Sequence, residues 1–583
     1  MALVQAAQKL ASVEKPWLKW FPEESLRAEM PRQTIYTALT HTVEKHPDSY
    51  AIYYYGTRLT YRDLLERVDR IASAFYGMGV RPGDYVSFLM PTMPESIMSL
   101  YAVNKLGATP NFIDPRMDTG RILDAAEGVH SDLLVSIDIA YPKVEKIKDQ
   151  LRMKKIVFVS PNTSLPAPLR VLRSALSKPT KIPYDDRFLS WETMMAKATD
   201  TPLETAPYRD GSTAAIVYTG GTTGTPKGVL LSDDGLNTMA ESFSYSGAEY
   251  GKNDRFLAIM PIFASYGVGC GIHMPLTLGF ELVVIPRFTP DKLGNLLVKY
   301  HPNHMIGVPS FYEQIMVSKA TRHADLSFLL STGCGGDTMN PGLEERFNRF
   351  LASHGAKYSL YQVYGMSEMS GAATFCFSEN YKDGSSGIPL LATTAAIFDP
   401  KTEDELPIGE EGEICMTGRN MMLAYYNNPE ETAHVMRTHR DGTVWVHSGD
   451  IGYIDEDGFL FIKGRIKQII IKFDGHKVFP VSLEGILGKF SSVASCAVVG
   501  IPDPAHAQGE VPLCVVELAD KTLSEEGREA LRLELLRHCD SVCEERGRPA
   551  DVVFIPEMLY TGLQKHDYRH LHEKYKDHVI RPH

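Results

Sequence analysis

The sequence predicts an α/β protein whose large N-terminal lobe carries mixed, largely parallel sheets packed with helices, followed by a smaller α+β lobe. Three observations predict it. The 583 residues exceed what one ordinary core accommodates, so at least two domains are expected. Residues 51–140 alternate between helical and strand periodicity, the rhythm of β-α-β units. After Gly464-Arg465, which reads as a boundary between lobes, a second and shorter series of strand-like and helical segments begins.

Taken in order, Thr60-Tyr-Arg-Asp63 opens a helix as a capping box, and Leu64, Leu65, Val68, Ile71, Ala72 and Phe75 recur at helical spacing until Gly79 stops it. Arg81-Pro-Gly-Asp84 turns into a strand at 85–89. Pro94 opens a second helix through Leu106, Gly107 ends it, and residues 109–113 are extended again. Strands are expected at 133–137 and 156–159. Arg170 to Lys181 is a short basic stretch with apolar spacing, which suits a solvated insertion or contact with an anionic membrane surface. In the second lobe, strands are expected at 495–499, 513–516 and 552–555, with a helix from Glu525 to Cys543.

Between two apolar runs, 214–217 and 229–231, stands Tyr218-Thr-Gly-Gly-Thr-Thr-Gly-Thr-Pro-Lys-Gly228. Glycines let backbone approach a ligand closely, threonines supply hydroxyls, and Lys227 supplies positive charge. The stretch reads as strand, polyphosphate-gripping loop, strand. A P-loop would place lysine directly after glycine and open a helix; here Pro226 precedes the lysine and a strand follows.

Composition narrows the rest. With 44% hydrophobic and 23% charged residues the chain has the make-up of an ordinary soluble protein, and a net charge of −12 argues against nucleic-acid binding, which needs a basic face. The first residues lack a basic start and apolar core, and no run approaches the ~18 apolar residues of a membrane span, so a cytoplasmic location is expected. Cys539 and Cys543 lie one helical turn apart beside His538; with no second pair nearby, buried thiols are expected there rather than metal ligands.

The glycine-rich loop, followed in order by Pro261-Ile-Phe-Ala264, Gly333-Cys-Gly-Gly-Asp337, Tyr364-Gly-Met-Ser-Glu368, Trp445 to Asp450, Gly464-Arg465-Ile-Lys467 and Tyr560-Thr-Gly-Leu-Gln-Lys565, resembles the adenylate-forming superfamily. That group includes acyl- and aryl-CoA synthetases, luciferases and peptide-synthetase adenylation domains, and the chain is most like an acyl-CoA synthetase. The resemblance implies an AMP-binding domain at 1–464 and a small mobile domain at 465–583, hinged at Lys467.

It further implies ATP, Mg²⁺ and coenzyme A as co-substrates and cofactor. Thr219, Gly221, Thr222, Thr223, Gly224 and Lys227 would grip phosphates, and Gly335, Gly336, Asp337, Tyr364 and Gly365 would border adenine. Ser367 would reach a phosphate, Glu368 hold Mg²⁺, and Asp450 bind the ribose with Arg465 nearby. Lys565 would contact the reacting carboxylate and α-phosphate. The sequence departs from the family pattern at Gly220, where Ser is usual, and at Gln564, where Gly is usual. The segment 468–475 is one residue longer than the commonest spacing, which leaves Lys472 without a role.

Amino-acid-activating relatives carry aspartate where Ala264 stands, so an uncharged acyl or aryl acid is expected. Residues 267–272, apolar and glycine-rich, suggest room for a medium or long fatty chain. An acyl carrier protein in place of free coenzyme A, an aryl acid, and a nucleotide-binding module without catalysis stay open as alternatives.

Overall fold

A computed structural model describes residues 9–176, 180–219, 227–248, 250–337, 339, 341–376, 381–562 and 564–582. The capping box forms as the sequence implies. Thr60 N–H donates to the Asp63 carboxylate (2.9 Å) and Asp63 N–H to the Thr60 hydroxyl (3.1 Å), starting the helix Tyr61–Gly77. It packs against the helix Pro94–Lys105, every residue of which is buried.

Two seven-stranded sheets form the N-terminal lobe. In one, Tyr85–Leu89, Thr109–Ile113, Leu133–Ile137, Lys155–Val159 and Phe188–Ser190 pair in parallel, and Thr213–Tyr218 extends the row beyond Thr109–Ile113. Its last strand, Gly228–Ser232, pairs antiparallel with Thr213–Tyr218, so the glycine-rich loop closes a hairpin at the sheet's edge. The other sheet aligns Tyr361–Gln362, Ser331–Cys334, His304–Gly307, Arg255–Ala258, Glu281–Val284 and Tyr50–Tyr54 in parallel. The runs at 261–267, 308–310, 335–337 and 364–368 each begin within three residues of the carboxyl end of one of these strands. That edge is where open α/β sheets bind ligands.

A third, antiparallel sheet of five strands includes Gly412–Gly418, Val444–Ile454 and Leu460–Arg465. The chain then enters the second lobe, in which Val493–Pro502, Glu510–Leu518 and Asp551–Ile555 form a sheet. Pro480–Leu487 and Glu525–Val542 pack on one face around Leu483, Cys496 and Leu535; Tyr568–Tyr575 packs on the other around Val499, Leu513 and Leu571. The second lobe rests on the first: the Arg346 guanidinium donates to the Val493 carbonyl (2.8 Å), and Gly342 abuts Gly488 so closely that a Cβ there would sit 2.5 Å from its carbonyl carbon.

Cys539 is buried and Cys543 partly so, and the His538 ring turns edge-on to Phe490. The thiols therefore serve the lobe's core. The basic stretch enters the helix Ala167–Leu176, which presents Leu169, Val171 and Leu172 to solvent. Among the described residues no helix is long and apolar enough to cross a membrane.

Candidate active site

Antiparallel pairing puts Asp450 opposite Arg465. The Arg465 Nε lies 3.1 Å from Asp450 Oδ1, and the Tyr364 hydroxyl donates to Oδ2 at 2.7 Å. Burial pushes the Asp450 carboxyl up from its ordinary range, while the Arg465 charge and the Tyr364 hydroxyl draw it back. Tyr364 is itself buried, two residues beyond the strand Tyr361–Gln362. Three predicted nucleotide-binding residues from separate segments thus meet.

Glycines shape the adjoining strand ends. A Cβ on Gly335 would lie 2.8 Å from Val363 Cγ2, and one on Gly365 would lie 2.3 Å from the Gly371 carbonyl oxygen. Gly336 adopts φ +79°, a conformation that L side chains disfavour.

Glu368 is buried, its carboxylate taking a hydrogen bond from the Tyr425 hydroxyl. Tyr425 also lies beneath Lys227, whose ammonium is 4.9 Å from the ring centroid and pairs with the Glu431 carboxylate. Tyr425 therefore joins the predicted metal ligand to the predicted phosphate lysine. No sequence signal marked it. It arrives because residues 423–426 run beside the strand that leaves the phosphate loop, with Leu230 N–H on the Ala424 carbonyl (3.0 Å) and Tyr426 N–H on the Gly228 carbonyl (2.7 Å).

At the loop's base, Thr219 N–H donates to the Lys227 carbonyl (3.0 Å) and Lys227 N–H to the Thr219 hydroxyl (3.3 Å). Gly221, Thr222, Thr223 and Gly224 lie outside the described residues. The Ser265 hydroxyl donates to the Ser367 oxygen at 3.1 Å, tying the predicted phosphate serine to the segment expected to line the acid pocket.

Lys565 comes from the other lobe. Its turn docks through Ser310, whose hydroxyl donates to the Gln564 carbonyl (3.1 Å), and through Asp337, whose carboxylate accepts from His566 N–H (3.0 Å). Gln564 has φ +63°, which explains why the family prefers glycine there: the turn needs a left-handed residue. Burial lowers the Lys565 pKa, Asp337 and Asp450 raise it, and Arg465 lowers it again. Its amine is thus brought into the group formed by Asp337, Asp450, Arg465 and Glu368.

Lys467 stands exposed in the short 3₁₀ turn Ile466–Gln468, directly after Arg465. Lys472 lies further on, in the second lobe near Asp503, whose pKa its charge helps to lower.

One expectation is corrected. The glycines at 267 and 269 do not leave open space. Their segment is a buried π-helix, Tyr266–His273, and a Cβ at Gly267 would lie 1.9 Å from the Pro261 carbonyl oxygen, one at Gly269 2.6 Å from that of Ser370. Their smallness serves close backbone contact. Asp233 is structural. Buried, it accepts from Ile35 N–H (2.8 Å), Asn104 (2.9 Å) and the Ser212 hydroxyl (2.7 Å).

A cleft walled by parallel strand ends, closed by a lysine from a second lobe, defines the class of ligases that activate a carboxylate as its adenylate. The chain belongs to the AMP-binding enzyme family, whose model matches residues 39–426, and the model of the AMP-binding enzyme C-terminal domain matches 482–565. It is 31% identical over 524 residues to a long-chain-fatty-acid–CoA ligase of Bacillus subtilis, covering 88% of this chain and 91% of that protein. It is 30% identical over 484 residues to a feruloyl-CoA synthase of Amycolatopsis, covering 81% and 86%. The crystal structure of ATP-bound MatB from Rhodopseudomonas palustris matches its fold with a TM-score of 0.79 at 22% identity, covering 93% of this chain and 99% of that one. The protein is an AMP-forming acid–thiol ligase of the acyl- and aryl-CoA ligase kind.

Proposed function

We propose that this enzyme joins a medium- or long-chain fatty acid to coenzyme A through an acyl-AMP. The observation that carries the adenylation step is Lys565, brought by a docked second lobe to Asp337 and Asp450, and the fatty-acid reading rests on the likeness to the long-chain-fatty-acid–CoA ligase. A carboxylate is already nucleophilic, so the protein has only to align it with the α-phosphorus of ATP and offset charge on the phosphates. Asp450 would accept from the ribose hydroxyls, Tyr364 would lie against adenine, and Lys227 with its loop would receive the leaving pyrophosphate.

Glu368, a buried carboxylate with only acceptor oxygens, fits a Mg²⁺ ligand sharing the ion with phosphate oxygens. Bound there, Mg²⁺ would neutralise phosphate charge. The Lys565 ammonium would meet charge on the α-phosphoryl group as the acid's oxygen bonds to phosphorus and the bond to pyrophosphate breaks. The thiol sulfur then attacks the acyl carbonyl and AMP leaves. One pocket does not present both Lys565 and a thiol to the same carbonyl, so residues 465–583 would turn about Lys467 between the two steps. Exposed Leu169, Val171 and Leu172 suit passing contact with a membrane that supplies the acid.

A second reading, an aryl acid, is favoured by the Tyr266 hydroxyl. It is buried without a hydrogen-bond partner among the described residues and lies 3.3 Å from where a Gly335 Cβ would stand, placed to meet a polar ring substituent. Pyrophosphate release across fatty acids of graded length and hydroxylated aryl acids, with coenzyme A or a carrier protein, separates these readings. Release with long fatty acids and dependence on free coenzyme A are expected; release with aryl acids alone overturns the fatty-acid reading.

A further inference from the structure

The antiparallel sheet that carries Asp450 gathers three donor side chains. Glu413 and Cys415 stand two residues apart on Gly412–Gly418, so both project from the same face. Cys415 is in register with His447 on the neighbouring strand. The His447 Nδ1 lies 3.0 Å from Glu413 Oε2 and 3.4 Å from Cys415 Sγ, and all three donor atoms fall within 4.8 Å of one another. Each of the three residues is buried. We propose that Glu413, Cys415 and His447 form a binding site for a zinc-type divalent cation.

The spacing suits the ion. Ligands 2.0–2.3 Å from a tetrahedral metal lie about 3.3–3.7 Å apart, close to the two distances to Nδ1, so the third ligand needs only a small inward shift. The donor set, one thiolate, one imidazole and one carboxylate, selects Zn²⁺ over Mg²⁺ or Ca²⁺, which prefer oxygen alone. Charge balances too. A dication with thiolate, carboxylate and neutral imidazole sums to zero, which a buried site tolerates.

His439 completes the arrangement. Its Nε2 lies 2.9 Å from the His447 Nε2. When His447 donates there, its Nδ1 presents a lone pair toward the thiol and carboxylate, three electron-rich atoms around one point. Metal-ligating histidines are oriented in this way by a partner on the far nitrogen. Arg437, whose charge reaches Glu413, pairs with Glu403 at 2.8 Å. The Glu413 Oε1 takes the N–H of Gly449 (3.0 Å), the residue before Asp450, so an ion here would brace the turn that presents the ribose carboxylate.

The test is a titration of the metal-stripped full-length enzyme with Co²⁺ as spectroscopic probe, in excess Mg²⁺. One equivalent should produce a thiolate-to-cobalt charge-transfer band that Zn²⁺ bleaches stoichiometrically. The band should vanish in Cys415→Ser. In His439→Gln it should persist with affinity lowered roughly 10- to 100-fold, the usual effect of losing an outer-shell partner. Absence of the band in the wild-type enzyme, or an undiminished band in Cys415→Ser, overturns the proposal; the residues would then be a hydrogen-bonded Glu-His-His network.

Discussion

The Lys565 Cε lies 3.9 Å from the point where a side chain on Gly336 would begin. The lysine of one lobe thus runs alongside a glycine of the other, and Gly336 has φ +79° besides. Ala at 336 meets one obstacle, a backbone conformation that costs about 1–2 kcal/mol in the turn that faces Lys565. Gly336→Ala is expected to lower acyl-AMP formation, measured as acid-dependent pyrophosphate exchange, far more than thioester formation from supplied acyl-AMP.

Glu313 lies between the lobes, near Arg346 and with Tyr560 Oη 3.4 Å from its carboxylate. Burial raises its pKa to about 8. The sign follows from the proton count. The docked enzyme holds a proton that the undocked carboxyl, free near its ordinary pKa, has released, so docking weakens as pH rises from about 4.5 to 8 and levels off above. Inter-lobe energy transfer should fall across that range, and Glu313→Gln should flatten the fall.

Buried Asp450 joins the exposed Arg465 to the buried Tyr364. Asp450→Asn removes the charge that both neighbours face and one ribose acceptor. Hydrogen bonds to charged groups are worth about 1.5–3 kcal/mol, so kcat/KM for ATP should fall roughly 10- to 100-fold, read by varying ATP at saturating acid.

Glu431 pairs with Lys227 where pyrophosphate would compete for the ammonium. A partly exposed ion pair is a weak competitor. Glu431→Gln should lower KM for ATP, by no more than about fivefold, with kcat little changed. A rise in KM would show that Glu431 instead holds Lys227 in its working position.

Much of this was legible beforehand because it is local. The capping box at Thr60 and Asp63, the strand at 85–89 and the hairpin around the phosphate loop follow from short-range chemistry and periodicity. The ordered motifs that supply Asp337, Tyr364, Asp450, Arg465 and Lys565 were legible through resemblance to the adenylate-forming superfamily. What escaped depends on contacts between distant segments. Tyr425 bridges Lys227 and Glu368 only because a later segment lies beside the strand Gly228–Ser232. The glycines at 267 and 269 looked like space and prove to be close backbone contact, a distinction no one-dimensional pattern carries. Gln564 looked like a departure and is a left-handed turn residue in glycine's place.

The central claim is that Lys565 serves adenylation from a docked lobe and has no part in thioester formation. Lys565→Ala, assayed separately for pyrophosphate exchange and for coenzyme A acylation from supplied acyl-AMP, tests it most directly. The account predicts exchange reduced on the order of 10²–10³-fold, as for the loss of one preorganised charge donor, with acylation largely intact. Equal loss of both half-reactions would contradict it.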